Sequence, residues 1–123
     1  MPLKLSAALL TLAAANFDPL VQFYCQLLSQ QPNRYIPNVY AEFQLPGLTL
    51  GIFRPKQPEQ YEPTASCRSA MSLCLEVENL EAAIAHLYEL GYSPPGPIVI
   101  ASHGREIDAF DPNGNRLILH ESW

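Results

Sequence analysis

Apolar residues alternate at two places along the chain. Leu10, Leu12 and Ala14 do so ahead of Asn16, and Leu73, Leu75 and Val77 do so ahead of Asn79, which is the period of a strand with one covered face. Beyond each Asn the period changes. Phe17, Leu20, Val21, Tyr24 and Leu27 follow the first, and Leu80, Ala83, Ile84, Leu87 and Leu90 follow the second, at the spacing of a helix with one apolar stripe. Asn16 and Asn79 are therefore expected to be N-caps, with Asp18 and Glu81 in the positive first turn and Pro19 where its missing N–H costs little. Pro19 and Ala82 hold the third helical position, so neither copy has a capping box. Gly91 is expected to close the second helix in the left-handed conformation, while Gln30–Asn33 ends the first less distinctly.

Each half then finishes in a predicted hairpin, Phe43–Phe53 matching Phe110–His120. In Asp111-Pro-Asn-Gly-Asn115, Pro112 presets φ and Asn113 or Gly114 tolerates the left-handed region. The two Asn caps lie 63 positions apart and the hairpin glycines, Gly47 and Gly114, 67 apart. The second copy thus carries four extra residues, placed around Ser93-Pro-Pro-Gly-Pro97. The polar, Pro-rich stretch Pro55–Thr64 reads as a linker. The result is one domain of 123 residues written as two modules, 4–54 and 69–122, joined by 55–68. The chain's start imitates a signal peptide, but its match to the segment around Leu73 assigns it to the first strand. No apolar run reaches the ~18 residues needed to cross a bilayer.

Composition narrows the function. Hydrophobic residues make up 48% and charged residues 15%, enough to build a core and unlike a disordered chain. A net charge of −5 argues against nucleic acid and anionic membrane as partners. Cys25, Cys67 and Cys74 form no CxxC pair, which fits neither a disulfide framework nor a thiolate zinc site and points to a reducing cytoplasm. No phosphate-cradling glycine loop and no nucleophile elbow is present. His86 reads as an ordinary helix residue. His103 reads as a loop histidine, with a ligand-gating role as its alternative.

Strand, helix and three strands, twice over, with the helix opening Val77-Glu-Asn-Leu-Glu-Ala-Ala83 and the turn Phe110-Asp-Pro-Asn-Gly-Asn115, resemble the vicinal oxygen chelate superfamily of glyoxalases, bleomycin resistance proteins and extradiol dioxygenases. The resemblance covers nearly the whole chain. It implies an α+β fold in which two βαβββ modules form a half-open, eight-stranded barrel-like sheet, with helices outside and a pocket inside. The family's enzymes hold a divalent metal with one side chain from the first and last strand of each module. The matching positions here are Leu9, Gly51, Ser72 and Ile118, and hard cations need carboxylate or imidazole donors that these lack. No metal and no cofactor is therefore expected. Cys74 and His120 stand two residues along from Ser72 and Ile118, but their first-module counterparts are Thr11 and Phe53, and two ligands do not make a tight site.

By strand parity, Leu9, Thr11, Thr49, Phe53, Ser72, Cys74, Glu76, Arg116, Ile118 and His120 are expected to line the pocket, mostly apolar with a few polar fixers. Tyr35, Tyr40 and Glu42 fall on the middle strands of module one, Tyr40 and Glu42 sharing a face. The expected function is metal-free binding, by sequestration or carriage, of a small organic molecule. The resemblance further implies a homodimer. The alternative is an enzyme of lyase, isomerase or dioxygenase type, with a relocated metal or with Glu76 and His120 as acid–base groups. A third reading is a regulatory module facing a partner chain.

Overall fold

A computed structural model describes residues 3–56 and 70–123. The chain divides into two compact units, Met1–Tyr61 and Glu62–Trp123. Cys67 and most of the expected linker lie outside the described residues. The first unit runs β1 (Leu10–Ala13), α1 (Phe17–Leu28), β2 (Arg34–Ile36), β3 (Tyr40–Leu45) and β4 (Leu48–Phe53). The second runs β5 (Leu73–Glu76), α2 (Leu80–Leu90), β6 (Val99–Ala101), β7 (Gly104–Phe110) and β8 (Arg116–Ser122). Each makes one four-stranded mixed sheet, in the orders β1-β4-β3-β2 and β5-β8-β7-β6. In both, the first strand pairs parallel with the last. The fold is α+β, with the same unit built twice.

Alternation decides which face each sheet covers. Ala41, Phe43 and Leu45 on β3 and Leu50 and Ile52 on β4 are buried, as are Phe17, Leu20, Val21, Phe23 and Tyr24 of α1. Tyr24 and Phe43 bring their ring centroids to 6.5 Å. In the second unit Leu80 and Leu87 of α2 are buried, together with Leu73, Ile107, Ala109, Leu117 and Leu119. Each fully buried large side chain is worth about 1.5–3 kcal/mol relative to exposure. Leu27, Ala83, Ile84 and Leu90 belong to the predicted stripes but are only half-buried.

The two helix starts differ where the sequence suggests a match. Asn79 accepts a hydrogen bond from the Ala82 amide at 2.9 Å, whereas Asn16 caps nothing with its side chain. The reason lies three residues on. A cap oxygen takes the N–H of the second or third helical residue, and in α1 the third is Pro19, which has none. Gly91 closes α2 at φ 89°, and Ser29, not the segment beyond it, closes α1 at φ 52°.

The hairpins also diverge. Leu45 pairs with Leu48 across Pro46-Gly47, with Gly47 at φ 77°. In the second, Asp111 lies buried and its Oδ1 accepts from the amides of Asn113 and Asn115, both at 2.9 Å. That side-chain-locked turn leaves residues 111–115 unpaired against 46–47 in the first hairpin, and the register shifts by one: Phe43 faces Leu50 while Ala109, not Phe110, faces Leu117. The extra length expected ahead of the second hairpin falls in residues 91–98, against 29–33 in the first unit.

Candidate functional site

The open face of the second sheet, turned away from α2, gathers the chemistry. Parallel pairing of β5 with β8 sets Cys74 beside Ile118 and Glu76 beside His120. Antiparallel pairing of β7 with β8 sets Glu106 beside His120, Asp108 beside Ile118 and Phe110 beside Arg116. Glu76 Oε1 lies 2.6 Å from His120 Nδ1. Glu76 Oε2 accepts from both the amide and the hydroxyl of Ser122, each at 2.8 Å. His120 is buried, at 8% exposure, and its Nε2 lies 2.7 Å from His103 Nδ1. The bond to His120, then those from Ser122, hold the Glu76 carboxyl below the usual carboxylate range.

Cys74 stands on the same face. Partial desolvation by the sheet, and then the charges of Glu106 and Glu76, push its thiol pKa up. It therefore stays protonated at neutral pH and has no thiolate character. Arg116 donates from Nε to Ser72 Oγ at 2.6 Å. On the opposite face Arg105 pairs with Glu81 and Glu121, while Glu121 accepts from the Leu80 amide at the start of α2.

The open face of the first sheet is quieter. Thr11 pairs with Gly51 and Ala13 with Phe53 on one side of β4; Glu42 pairs with Gly51 and Gln44 with Thr49 on the other. Tyr40 donates to Glu42 Oε1 at 2.8 Å, and Thr49 donates to Gln44 Oε1 at the same distance. Burial and then Glu42 push the Tyr40 phenol up. The Tyr40 ring covers Gly51 so closely that a Cβ there would meet its hydroxyl at 2.7 Å.

Of the sequence-predicted residues, Cys74, Glu76, Arg116, Ile118 and His120 share the second sheet's open face, with Ser72 joined to it through Arg116. Thr11, Thr49 and Phe53 share the first sheet's open face. Leu9 stands one residue ahead of β1 and is 47% exposed, because β1 pairs with β4 only from Leu10 onward. Ser72 likewise falls one residue ahead of β5.

The four positions that would hold the family's metal do not fit one. Leu9 and Ile118 have no donor, Gly51 lies under Tyr40, and the Ser72 hydroxyl is engaged by Arg116. His120 offers no substitute, since Glu76 and His103 occupy both its ring nitrogens. Among the described residues, no three His, Cys, Asp or Glu side chains are gathered to hold an ion.

Two clefts lie away from this cluster's centre. One of about 380 Å³ in the first unit is lined by α1 residues including Gln22 and Cys25, with Pro32 and Tyr35. Another of about 320 Å³ in the second unit is bordered by Pro97, Val99, Glu106 and Asp108. Sequence reasoning passed over Ser122, and it read His103 as a loop histidine with ligand gating as the alternative. Parity with Ile118 and His120 would have placed Ser122; nothing local marks His103, which reaches the site from the turn between β6 and β7.

The chain belongs to the Glyoxalase/Bleomycin resistance protein/Dioxygenase superfamily, whose family model matches residues 7–119. Solved structures with the same fold include a glyoxalase/bleomycin resistance protein from Catenulispora acidiphila, 24% identical over 94% of this chain and 97% of that one, TM-score 0.71. A lactoylglutathione lyase from Agrobacterium tumefaciens is 16% identical over 94% and 93%, TM-score 0.68. The fosfomycin resistance protein FosX from Listeria monocytogenes is 14% identical over 98% and 96%, TM-score 0.75. No curated protein matches the chain. Among the described residues no helix is long and apolar enough to cross a membrane.

Proposed function

We propose that this protein binds a small organic molecule on the open face of its second sheet and does so without a metal. The observation that carries the reading is the replacement of all four ligand positions by Leu9, Gly51, Ser72 and Ile118, while the neighbouring Glu76, Glu106, Asp108, Arg116 and His120 keep that face polar. Carboxylates outnumber the one arginine there, so the favoured ligand is amine-bearing. The protein works as a homodimer in the cytoplasm; the free thiols of Cys25 and Cys74 accord with a reducing compartment. Sedimentation at micromolar concentration checks the dimer, and a monomer alone would count against it.

The binding test has two parts. Native protein is assayed for metal, and a panel of amine-bearing and carboxylate-bearing compounds is screened by thermal shift, each ligand being recovered for mass analysis. The reading expects little metal, stabilisation by amines and unchanged ligand. One tightly held divalent ion per chain would end it. Chemical conversion of the ligand would favour a second reading, an acid–base enzyme, which the 2.6 Å contact between Glu76 and His120 supports.

A further inference from the structure

His120 is fastened on both sides, so it has no nitrogen left with which to meet a ligand. The order of protons along Glu76, His120 and His103 follows from the first acceptor. An ionised carboxylate only accepts, so His120 Nδ1 donates to Glu76 Oε1, and in the neutral ring His120 Nε2 carries a lone pair. His103 Nδ1 must then donate to that lone pair across 2.7 Å. This leaves the lone pair of His103 on Nε2, in an exposed residue, and no other described residue bonds to that ring.

We propose that His103 is a working base, the third member of a hydrogen-bonded row in which Glu76 and His120 are positioning residues. Its Nε2 takes a proton from an acidic C–H, N–H or O–H group of a small molecule held at the open face. The new N–H bond forms from the nitrogen lone pair, and the donor keeps the electron pair of the bond that breaks. The positive ring is stabilised through its Nδ1–H to His120, whose own Nδ1–H faces a carboxylate. No metal and no redox partner enters the step. The inference goes beyond ligand binding and stands whether the ligand is afterwards carried or converted.

Two further observations show that the row is built. The imidazole centroids of His103 and His120 lie 4.8 Å apart with the planes at 35°, so the rings are in contact as well as hydrogen-bonded. Gly104, next to His103, has φ 156°, and a Cβ there would stand 2.2 Å from the Glu121 carbonyl oxygen and 3.0 Å from His120 Cε1. The turn delivers His103 onto His120 because the residue after it has no side chain. Around the row stand Glu106 on β7 and Cys74 on β5, while Arg105 and Glu121 pair on the opposite face.

Diethyl pyrocarbonate tests the proposal on the whole chain without knowledge of the ligand. The His103 Nε2 lone pair attacks a carbonyl carbon, the anhydride C–O bond breaks, ethyl carbonate leaves, and the Nδ1 proton is lost through His120. Peptide mass analysis against time is expected to show His103 modified several-fold faster than His86. In Glu76→Gln and His120→Gln the His103 rate is expected to fall several-fold. Equal rates for His103 and His86, or an unchanged His103 rate in both variants, would overturn the proposal. Should the variants fold poorly, long-range proton–nitrogen NMR on the unmodified protein decides: both rings are expected in the Nδ1–H form, and an Nε2–H form at His103 would overturn it.

Discussion

Glu76 and His120 are 44 residues apart in the chain and 2.6 Å apart in the fold. They meet because β5 runs parallel to β8 in a register that sets each beside the other. The same register fixes Cys74 against Ile118, so the alignment of one pair of strands determines what β5 contributes to the open face. A slip by one residue would turn Glu76 toward the core.

The Gly104 contact gives the first expectation. Gly104→Ala forces the β7 backbone away from Glu121 and pushes on His120, and overpacking of this kind costs about 1–3 kcal/mol. Urea unfolding measures the loss. The same variant is expected to weaken the His103–His120 contact, visible as shifted imidazole NMR signals; a variant as stable as the parent with unmoved signals would contradict the packing described.

The two helix caps give a paired expectation. Asn79→Ala removes the bond to Ala82 and is expected to cost about 1 kcal/mol, whereas Asn16→Ala is expected to cost nearly nothing, because Pro19 supplies no N–H. Equal losses in urea unfolding would refute the account of Pro19.

Gly51 and Tyr40 form a third case. Gly51→Ala collides with the Tyr40 hydroxyl and displaces it from Glu42, at a cost of about 1–3 kcal/mol. In a Tyr40→Ala background the collision is gone, so the added cost is expected to shrink. A double-mutant cycle reads this coupling directly, and simple additivity would show that the ring does not cover Gly51.

Acid sensitivity follows from the ion cluster. Bonds from Arg105 hold the Glu81 carboxyl down from its ordinary 4.5 to about 2. Glu121 is held low by the Leu80 amide and then by Arg105. A lowered folded value means stability fully present above 4.5 and lost as pH falls through the folded value, so for Glu81 the loss runs from about 4.5 to about 2. Urea midpoints across that range are expected to decline in the parent and to decline less in Arg105→Gln. An acid limb equally steep in the variant would remove the cluster from the explanation.

Much of this architecture was legible beforehand, for identifiable reasons. Alternation at Leu10–Ala14 and Leu73–Val77 reports burial of one strand face, and the stripes from Phe17 and Leu80 report burial of one helix face. Both are local consequences of backbone geometry. Parity therefore placed Cys74, Glu76 and His120 together without knowledge of their partners. What escaped was set by contacts distant in sequence. Asn16 looks like Asn79 until Pro19 is asked for a proton, Leu9 looks like a strand residue until its pairing partner is sought, and His103 looks like any loop histidine until the turn carries it onto β8.

Three successive residues of β8 fasten three other elements. His120 takes Glu76 of β5 and His103 of the β6–β7 turn, Glu121 takes the first amide of α2, and Ser122 clasps Glu76 a second time. A carboxypeptidase trimming past His120, or a premature stop codon at His120, would therefore unbuckle all of them at one stroke while sparing the apolar layer formed by Leu117 and Leu119.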